Sequence, residues 1–110
     1  MNEELSELRQ AQEELNEFFD RLKVLNTNAI KLAESIKSRA DDREYVISMR
    51  PMLGHSYKGV CKLRDEWKDY CTKWNHLMNE DIKAVAKDTT HKIKDFKDII
   101  ASILQLSLRI

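Results

Sequence analysis

Apolar residues recur every three or four positions along most of the 110-residue chain. This spacing places them on one side of an α-helix, because a helix turns once every 3.6 residues. The first stripe of this kind continues for about four heptads. Its members are Leu8, Ala11, Leu15, Phe18, Leu22, Leu25, Ala29, Leu32 and Ile36. Leu5, Phe19 and Ala33 widen the stripe, which favours a helix that packs against two neighbours.

A second stripe begins after Asp41 and Asp42, either of which is a candidate N-cap. Its members are Val46, Met49, Leu53, Ser56, Val60, Leu63, Trp67, Tyr70, Trp74 and Leu77. Pro51 lies inside this segment, and a proline within a helix removes one hydrogen bond and clashes with the preceding turn. We therefore predict either a kink near residues 47–51 or a new helix that has Pro51 in its first turn.

A third stripe occupies the last part of the chain. Its members are Ile82, Val85, Thr89, Ile93, Phe96, Ile100 and Ile103. Asn79 is a candidate N-cap, and acidic residues follow it in what becomes the first turn. The spacing of the apolar stripe shifts by one residue between Trp74 and Ile82, which allows a break in the helix at Asn79. The same shift also allows one continuous helix from residue 42 to about residue 108.

These stripes predict an all-α fold in a single domain over residues 1–110, with helices at about 3–38, 42–78 and 80–108. We expect an antiparallel three-helix bundle or coiled coil, with the second helix kinked near Pro51. Only 2 Gly and 1 Pro interrupt the chain, which favours long elements. The candidate core or interface residues are Leu15, Phe18, Leu22, Leu25, Trp67, Tyr70, Trp74 and Phe96.

The charge balance bears on the class of partner. The chain has 19 basic and 19 acidic residues, whereas nucleic-acid binders usually carry a basic excess that neutralises phosphates. We therefore expect no nucleic-acid partner. The charge is uneven along the chain, because the charged residues among positions 1–20 are mostly acidic and those among positions 21–40 are mostly basic. Within one helix this gradient complements the macrodipole, and an interaction tail is the alternative.

The residues that could carry chemistry are few. His55, His76 and His91 lack the spacing of a metalloprotease motif, and with Cys61 and Cys71 they lack the spacing of a structural zinc site. No glycine-rich phosphate loop is present. We expect no catalytic site, no metal and no cofactor, and hence a protein that is not an enzyme.

The two cysteines also bear on location. Ten residues of helix would separate Cys61 from Cys71 by about 15 Å, which is too far for a disulfide. Reduced thiols indicate a cytosolic or membrane-peripheral protein. The acidic start is followed by no apolar run, so we expect no secretory signal, and no stretch approaches the ~18 apolar residues of a membrane span.

Two groups of side chains have both a structural and a functional interpretation. Trp67, Tyr70 and Trp74 lie one turn apart on the second stripe, where they form either a core cluster or a docking or dimerisation patch. A basic stripe on the third helix falls within about 80° of the helical wheel. It consists of Lys83, Lys87, Lys94 and Lys97. Such a stripe is either a solvated, salt-bridged face or a contact with anionic lipid headgroups.

Three short segments resemble the BAR domain of sorting nexins. Residues 44–46 (EYV) and 62–67 (KLRDEW) look like its middle helix, and residues 94–100 (KDFKDII) are similar to the start of its last long stretch. The resemblance covers about residues 44–100. BAR domains are longer than this chain, so the resemblance implies a shortened or partial relative. It also implies curved dimers on phosphoinositide-bearing endosomal membranes.

The pattern as a whole favours a non-enzymatic interaction scaffold that dimerises or holds a helical protein partner. A BAR-like membrane-trafficking module, cytoplasmic and peripheral on endosomal membranes, is one specific form of such a scaffold. A spectrin-repeat-like spacer, or a coiled-coil adaptor without lipid contact, is the alternative.

Overall fold

The computed structural model describes residues 2–109, and all of its regular structure is helical. Helix α1 spans Asn2–Ser38, α2 spans Arg43–Ser48, α3 spans Arg50–Lys73, and α4 spans Glu80–Leu108, with a 3₁₀ turn at Asn75–Leu77. These residues contain no strand, and the all-α prediction is confirmed. Within the same residues, no helix combines the length and the apolar content needed to cross a membrane.

Side-chain caps fix the starts of α2 and α4. The Asp42 carboxylate accepts a hydrogen bond from the Tyr45 N–H at 3.1 Å, and the Asn79 side-chain oxygen accepts one from the Ile82 N–H at 2.8 Å. The hydrogen bond from Arg39 is the largest cause that holds the pKa of Asp42 below its usual value, and the Tyr45 N–H adds to it. The cap at Asn79 marks a real start of α4, so one continuous helix from residue 42 onward does not form.

Pro51 marks the bend in the second helical segment. Helices α2 and α3 are separated at Met49, and Pro51 lies in the first turn of α3, where a missing N–H leaves no partner unpaired. The Met49 N–H still bonds to the Tyr45 carbonyl at 3.1 Å, and the Leu53 N–H bonds to the Met49 carbonyl at 3.0 Å. The chain therefore bends here without reversing. Of the two predicted alternatives, the new helix with Pro51 in its first turn is the one observed.

Helix α1 packs on α3 through contacts that join early residues of one helix to late residues of the other. Lys73 forms an ion pair with Glu14 at 2.8 Å, and Arg21 forms one with Glu66 at 2.5 Å. Exposed ion pairs of this kind each contribute about 0–1 kcal/mol. They therefore fix the register of the two helices more than they stabilise the fold.

Helix α4 also packs on α3, and its contacts likewise join early residues of one helix to late residues of the other. Trp67 Nε1 donates a hydrogen bond to Thr90 Oγ1 at 3.0 Å, and the Arg50 side chain bonds to the Ser107 carbonyl. The backbones of α1 and α4 approach each other far less than either approaches α3. The rod measures 61 × 20 × 17 Å. Its core cluster consists of Phe18, Ala29, Val60, Leu63, Trp67, Ile93 and Ile100.

Among the main members of the predicted stripes, three apolar residues are exposed rather than buried or half-buried. Leu8 and Ile82 are each 49% exposed, and Val85 is 65% exposed. They lie at the end of the rod where α3 stops at Lys73, and the short connection to α4 does not cover them. The helical wheel places these residues on the apolar side of their helices, but it holds no information on where the neighbouring helix ends.

The two glycines of α3 predict opposite responses to alanine. A Cβ at Gly54 meets nothing within 4 Å, so Gly54→Ala should raise the free energy of unfolding by about 0.5–1 kcal/mol, because it lowers the entropy of the unfolded chain. A Cβ at Gly59 would lie 3.3 Å from Leu25 Cδ1, so the gain there should be smaller or absent. Urea unfolding followed by circular dichroism measures both. A Gly59→Ala gain larger than that of Gly54→Ala would contradict this account.

Candidate functional site

The aromatic residues of the second stripe lie in the core of the chain. Trp67 is 4% exposed, and its ring centroid is 5.0 Å from that of Phe18 and 5.4 Å from that of Tyr70. The Tyr70 hydroxyl donates to the Ala11 carbonyl at 3.0 Å, and burial is the largest cause that raises the pKa of this phenol. Trp74 is also buried. In a single copy of the chain, this cluster joins helices and leaves little aromatic surface for docking.

The other candidate core residues border this cluster. They are half-buried and pack against it: Leu15, Leu22, Leu25 and Phe96. Phe18, at 2% exposed, lies at its centre. The eight candidate residues therefore all lie in the core or at its edge.

The basic stripe of α4 borders α3 along one flank. Lys83, Lys87 and Lys94 are exposed, whereas Lys97 is half-buried. Both interpretations of this stripe require exposed lysines, and Lys97 departs from them because it lies in a groove against α3. His91 is exposed on the same helix.

This groove between α3 and α4 has a volume of about 690 Å³ and an apolar floor that includes Trp67. Its rims carry Arg64 and Lys68 from α3 and Lys94 and Lys97 from α4. No acidic side chain of the described residues lines it. Cations on both rims attract anionic groups, and an apolar floor adds the favourable burial of hydrocarbon.

A second groove of about 1130 Å³ lies between α1 and the bend near Pro51. Its lining is mainly apolar and includes Val24 and Leu32 from α1 and Met52 from α3. Val24 and Met52 are 61% and 54% exposed. The interruption at Met49 therefore leaves an open apolar furrow on this side of the rod.

A further apolar surface runs along the flanks of α1 and α4 that the helical wheel turns away from their grooves with α3. We call it the α1/α4 face, and it consists of Leu5, Leu8, Phe19 and Ile30 of α1 with Ile82, Val85, Ile99 and Leu106 of α4. These side chains are between 40% and 65% exposed. Single exposed apolar residues are ordinary on a protein surface, but a row of them along one side indicates a binding surface.

The position of this face follows from the grooves. The flank of α4 that carries Lys94 lines the groove with α3, so the opposite flank, which carries Ile99, faces towards α1. In the same way, the flank of α1 with Arg21 borders α3, and the flank with Ile30 faces towards α4. Ile30 and Ile99 were not predicted as surface residues of this kind, because they lie outside the main stripes. Their signal is a second, weaker apolar row on the flank of each helix.

The two cysteines lie on the same helix. Cys61 and Cys71 are both free and half-buried on α3. Burial raises the pKa of Cys71, so this side chain is a protonated thiol at neutral pH and a weak nucleophile. Among residues 2–109, no three His, Cys, Asp or Glu side chains converge in a way that could hold a metal ion.

Comparison with known proteins gives no match: no family model, no curated protein and no solved structure is similar to this chain.

Proposed function

We propose that this chain is a non-enzymatic interaction scaffold, a single antiparallel three-helix bundle that dimerises or holds a helical protein partner. The observation that carries the proposal is the α1/α4 face. Its eight apolar residues together expose on the order of 700 Å², close to the roughly 800 Å² that each partner contributes to a standard interface. Leaving such a surface in water is unfavourable, because apolar burial stabilises by about 25 cal/mol per Å².

The antiparallel arrangement is supported by the pairing of distant residues. Lys73 contacts Glu14 near the start of α1, and Arg50 contacts Ser107 near the end of α4. In each pair of helices, sequence numbers therefore rise in one while they fall in the other. This up-down-up order leaves α1 and α4 pointing in the same direction.

A second candidate is the BAR-like membrane module, cytoplasmic and peripheral on endosomal membranes. The observation that favours it is that Lys83, Lys87 and Lys94 are exposed next to the cationic rim formed by Arg64 and Lys68. Each cation near an anionic membrane contributes about 1 kcal/mol, and salt screens the effect. The exposed acids of α4 weaken this attraction, so protein–protein association is the function that we place first.

One experiment distinguishes these functions. Light scattering at rising protein concentration should give a mass of twice the 13.0 kDa of one chain. In parallel, the protein is sedimented with vesicles that contain acidic lipids, at low salt. The membrane candidate requires co-sedimentation that is lost when the four α4 lysines are changed to glutamate. The matched control makes the same four Lys→Glu changes at other exposed positions, which are Lys31, Lys37, Lys58 and Lys62.

Each outcome decides between the candidates. Dimers that do not co-sediment with vesicles support the scaffold. Co-sedimentation that is lost in the α4 variant but kept in the control variant supports the membrane module. A protein that stays monomeric at every concentration and does not sediment contradicts self-association and the membrane module. A scaffold for a different helical partner, or the spectrin-repeat-like spacer, then takes their place.

A further inference from the structure

The outer edges of the α1/α4 face carry opposite charges. Arg9 and Lys23 lie beside the apolar row of α1, and Asp81 and Asp95 lie beside that of α4. All four side chains are exposed, and none forms an ion pair within residues 2–109. Arg9 and Lys23 on one helix match Asp81 and Asp95 on the other, which makes the face complementary to itself at these positions. Glu34 shares their edge of α1 and lies about 16 Å beyond Lys23.

The contacts of α3 define the relative heights of α1 and α4 along the rod. Arg21 of α1 pairs with Glu66 of α3, and the next residue of α3, Trp67, bonds to Thr90 of α4. Arg21 and Thr90 therefore lie at about the same height. Because both helices contact α3 in the same sense, residues counted forward from these two positions rise together.

The charged edges match in spacing and in height. Arg9 and Lys23 are fourteen residues apart, as are Asp81 and Asp95, so each pair spans about 21 Å of helix. Counted from Arg21 and Thr90, Lys23 lies within about 5 Å of the height of Asp95, and Arg9 lies within about 5 Å of the height of Asp81. Long lysine and arginine side chains reach across such an offset.

One symmetry brings these edges together. A two-fold axis parallel to the rod places α1 of each copy over α4 of the other at the same height, so that basic edge meets acidic edge twice. An axis perpendicular to the rod instead places α1 over α1 and α4 over α4, which brings like charges together. Lys92 also lies near this face, but it is paired with Asp88 at 3.1 Å.

We infer that a second copy of this chain covers the α1/α4 face, in a parallel two-fold dimer in which α1 of each copy packs on α4 of the other. This inference rests on the proposed self-association and adds the surface and the orientation. The apolar rows supply the burial, and the charged edges select the parallel pairing over the antiparallel one, because charge complementarity fixes register.

A charge exchange tests the pairing. Variant one carries Arg9→Glu and Lys23→Glu, and variant two carries Asp81→Lys and Asp95→Lys. In a dimer of either variant with itself, like charges face each other at four positions, so the dimer Kd should rise about tenfold or more. In an equal mixture, each variant meets opposite charges on the other at all four positions, so a mixed dimer should form with near wild-type affinity. Analytical ultracentrifugation measures the affinities, and native mass spectrometry identifies the mixed dimer.

Controls separate this effect from unfolding and from general charge. Circular dichroism should show that all variants keep wild-type helix content. The pair Lys58→Glu with Lys62→Glu matches the charge change of variant one on exposed positions of α3, and Asp65→Lys with Asp69→Lys matches variant two. Neither control should change the dimer Kd.

An apolar variant tests the centre of the face. Val85 and Ile99 are 65% and 58% exposed, so changing both to arginine leaves the core of one copy intact. This variant should be monomeric at concentrations where the wild type is dimeric.

The outcomes are distinct. If variants one and two dimerise as the wild type does, or if their mixture stays monomeric, the inferred surface is wrong, while a dimeric wild type still supports the proposed scaffold. A wild type that remains monomeric at every concentration overturns both the inference and the proposed self-association.

Discussion

Trp67→Ala should lower the free energy of unfolding by about 3–5 kcal/mol, the range of large aromatic deletions in a core. Trp67 is 4% exposed and lies where all three long helices meet. Its ring packs on Phe18 of α1 and on Tyr70 of its own helix, and its indole N–H bonds to Thr90 of α4 at 3.0 Å. The substitution removes the ring, leaves a cavity and leaves the threonine hydroxyl without this donor.

Urea unfolding at one fixed protein concentration measures this effect, since dimerisation makes stability depend on concentration. Thr90→Val separates the hydrogen bond from the ring and should cost about 1–3 kcal/mol, because it leaves the indole N–H unpaired. Trp67→Phe keeps part of the ring, so its loss of stability should lie between the loss for Thr90→Val and the loss for Trp67→Ala. A stability unchanged by Trp67→Ala would mean that the aromatic cluster is an interface and not the core.

Arg50→Ala should cost about 1.5–3 kcal/mol, the usual contribution of hydrogen bonds to a charged group. The guanidinium donates two hydrogen bonds to the Ser107 carbonyl, from Nε at 3.0 Å and from Nη2 at 2.6 Å. This carbonyl is among the last four of α4, which have no partner within the helix, and a cation there also complements the helix macrodipole. Ser107 is only 2% exposed, so water cannot readily replace the arginine.

Arg50→Lys is the matched control, because it keeps the positive charge but loses the planar fork that donates twice to one oxygen. Urea unfolding should rank the wild type above Arg50→Lys and Arg50→Lys above Arg50→Ala. Equal stability of all three proteins would show that the contact of Arg50 with the end of α4 contributes nothing to the fold.

Local features of this fold could be predicted from the sequence. The caps at Asp42 and Asn79 and the bend at Pro51 depend on the chemistry of one residue and its nearest neighbours. The buried positions Phe18 and Trp67 follow from helical periodicity, because they lie mid-stripe in long helices.

Features that depend on distant residues could not be predicted. Nothing near Arg50 in the sequence indicates that its side chain ends on Ser107, 57 residues away. The exposure of Val85 depends on where α3 ends, and the half-burial of Lys97 depends on which flank of α4 meets α3. The exposure of the apolar rows on the α1/α4 face could not be predicted for the same reason. A helical wheel shows a second apolar row on a helix, but it does not show whether another helix covers that row.

The central position of α3 also has a consequence for the order in which the chain folds. The contact between Trp67 and Thr90 closes a loop of 23 residues, whereas that between Tyr70 and Ala11 spans 59. Loop-closure entropy rises with the logarithm of length, so the longer loop costs about 0.8 kcal/mol more. Helices α3 and α4 also share the larger contact. We therefore expect the α3–α4 hairpin to form first and α1 to dock onto it afterwards.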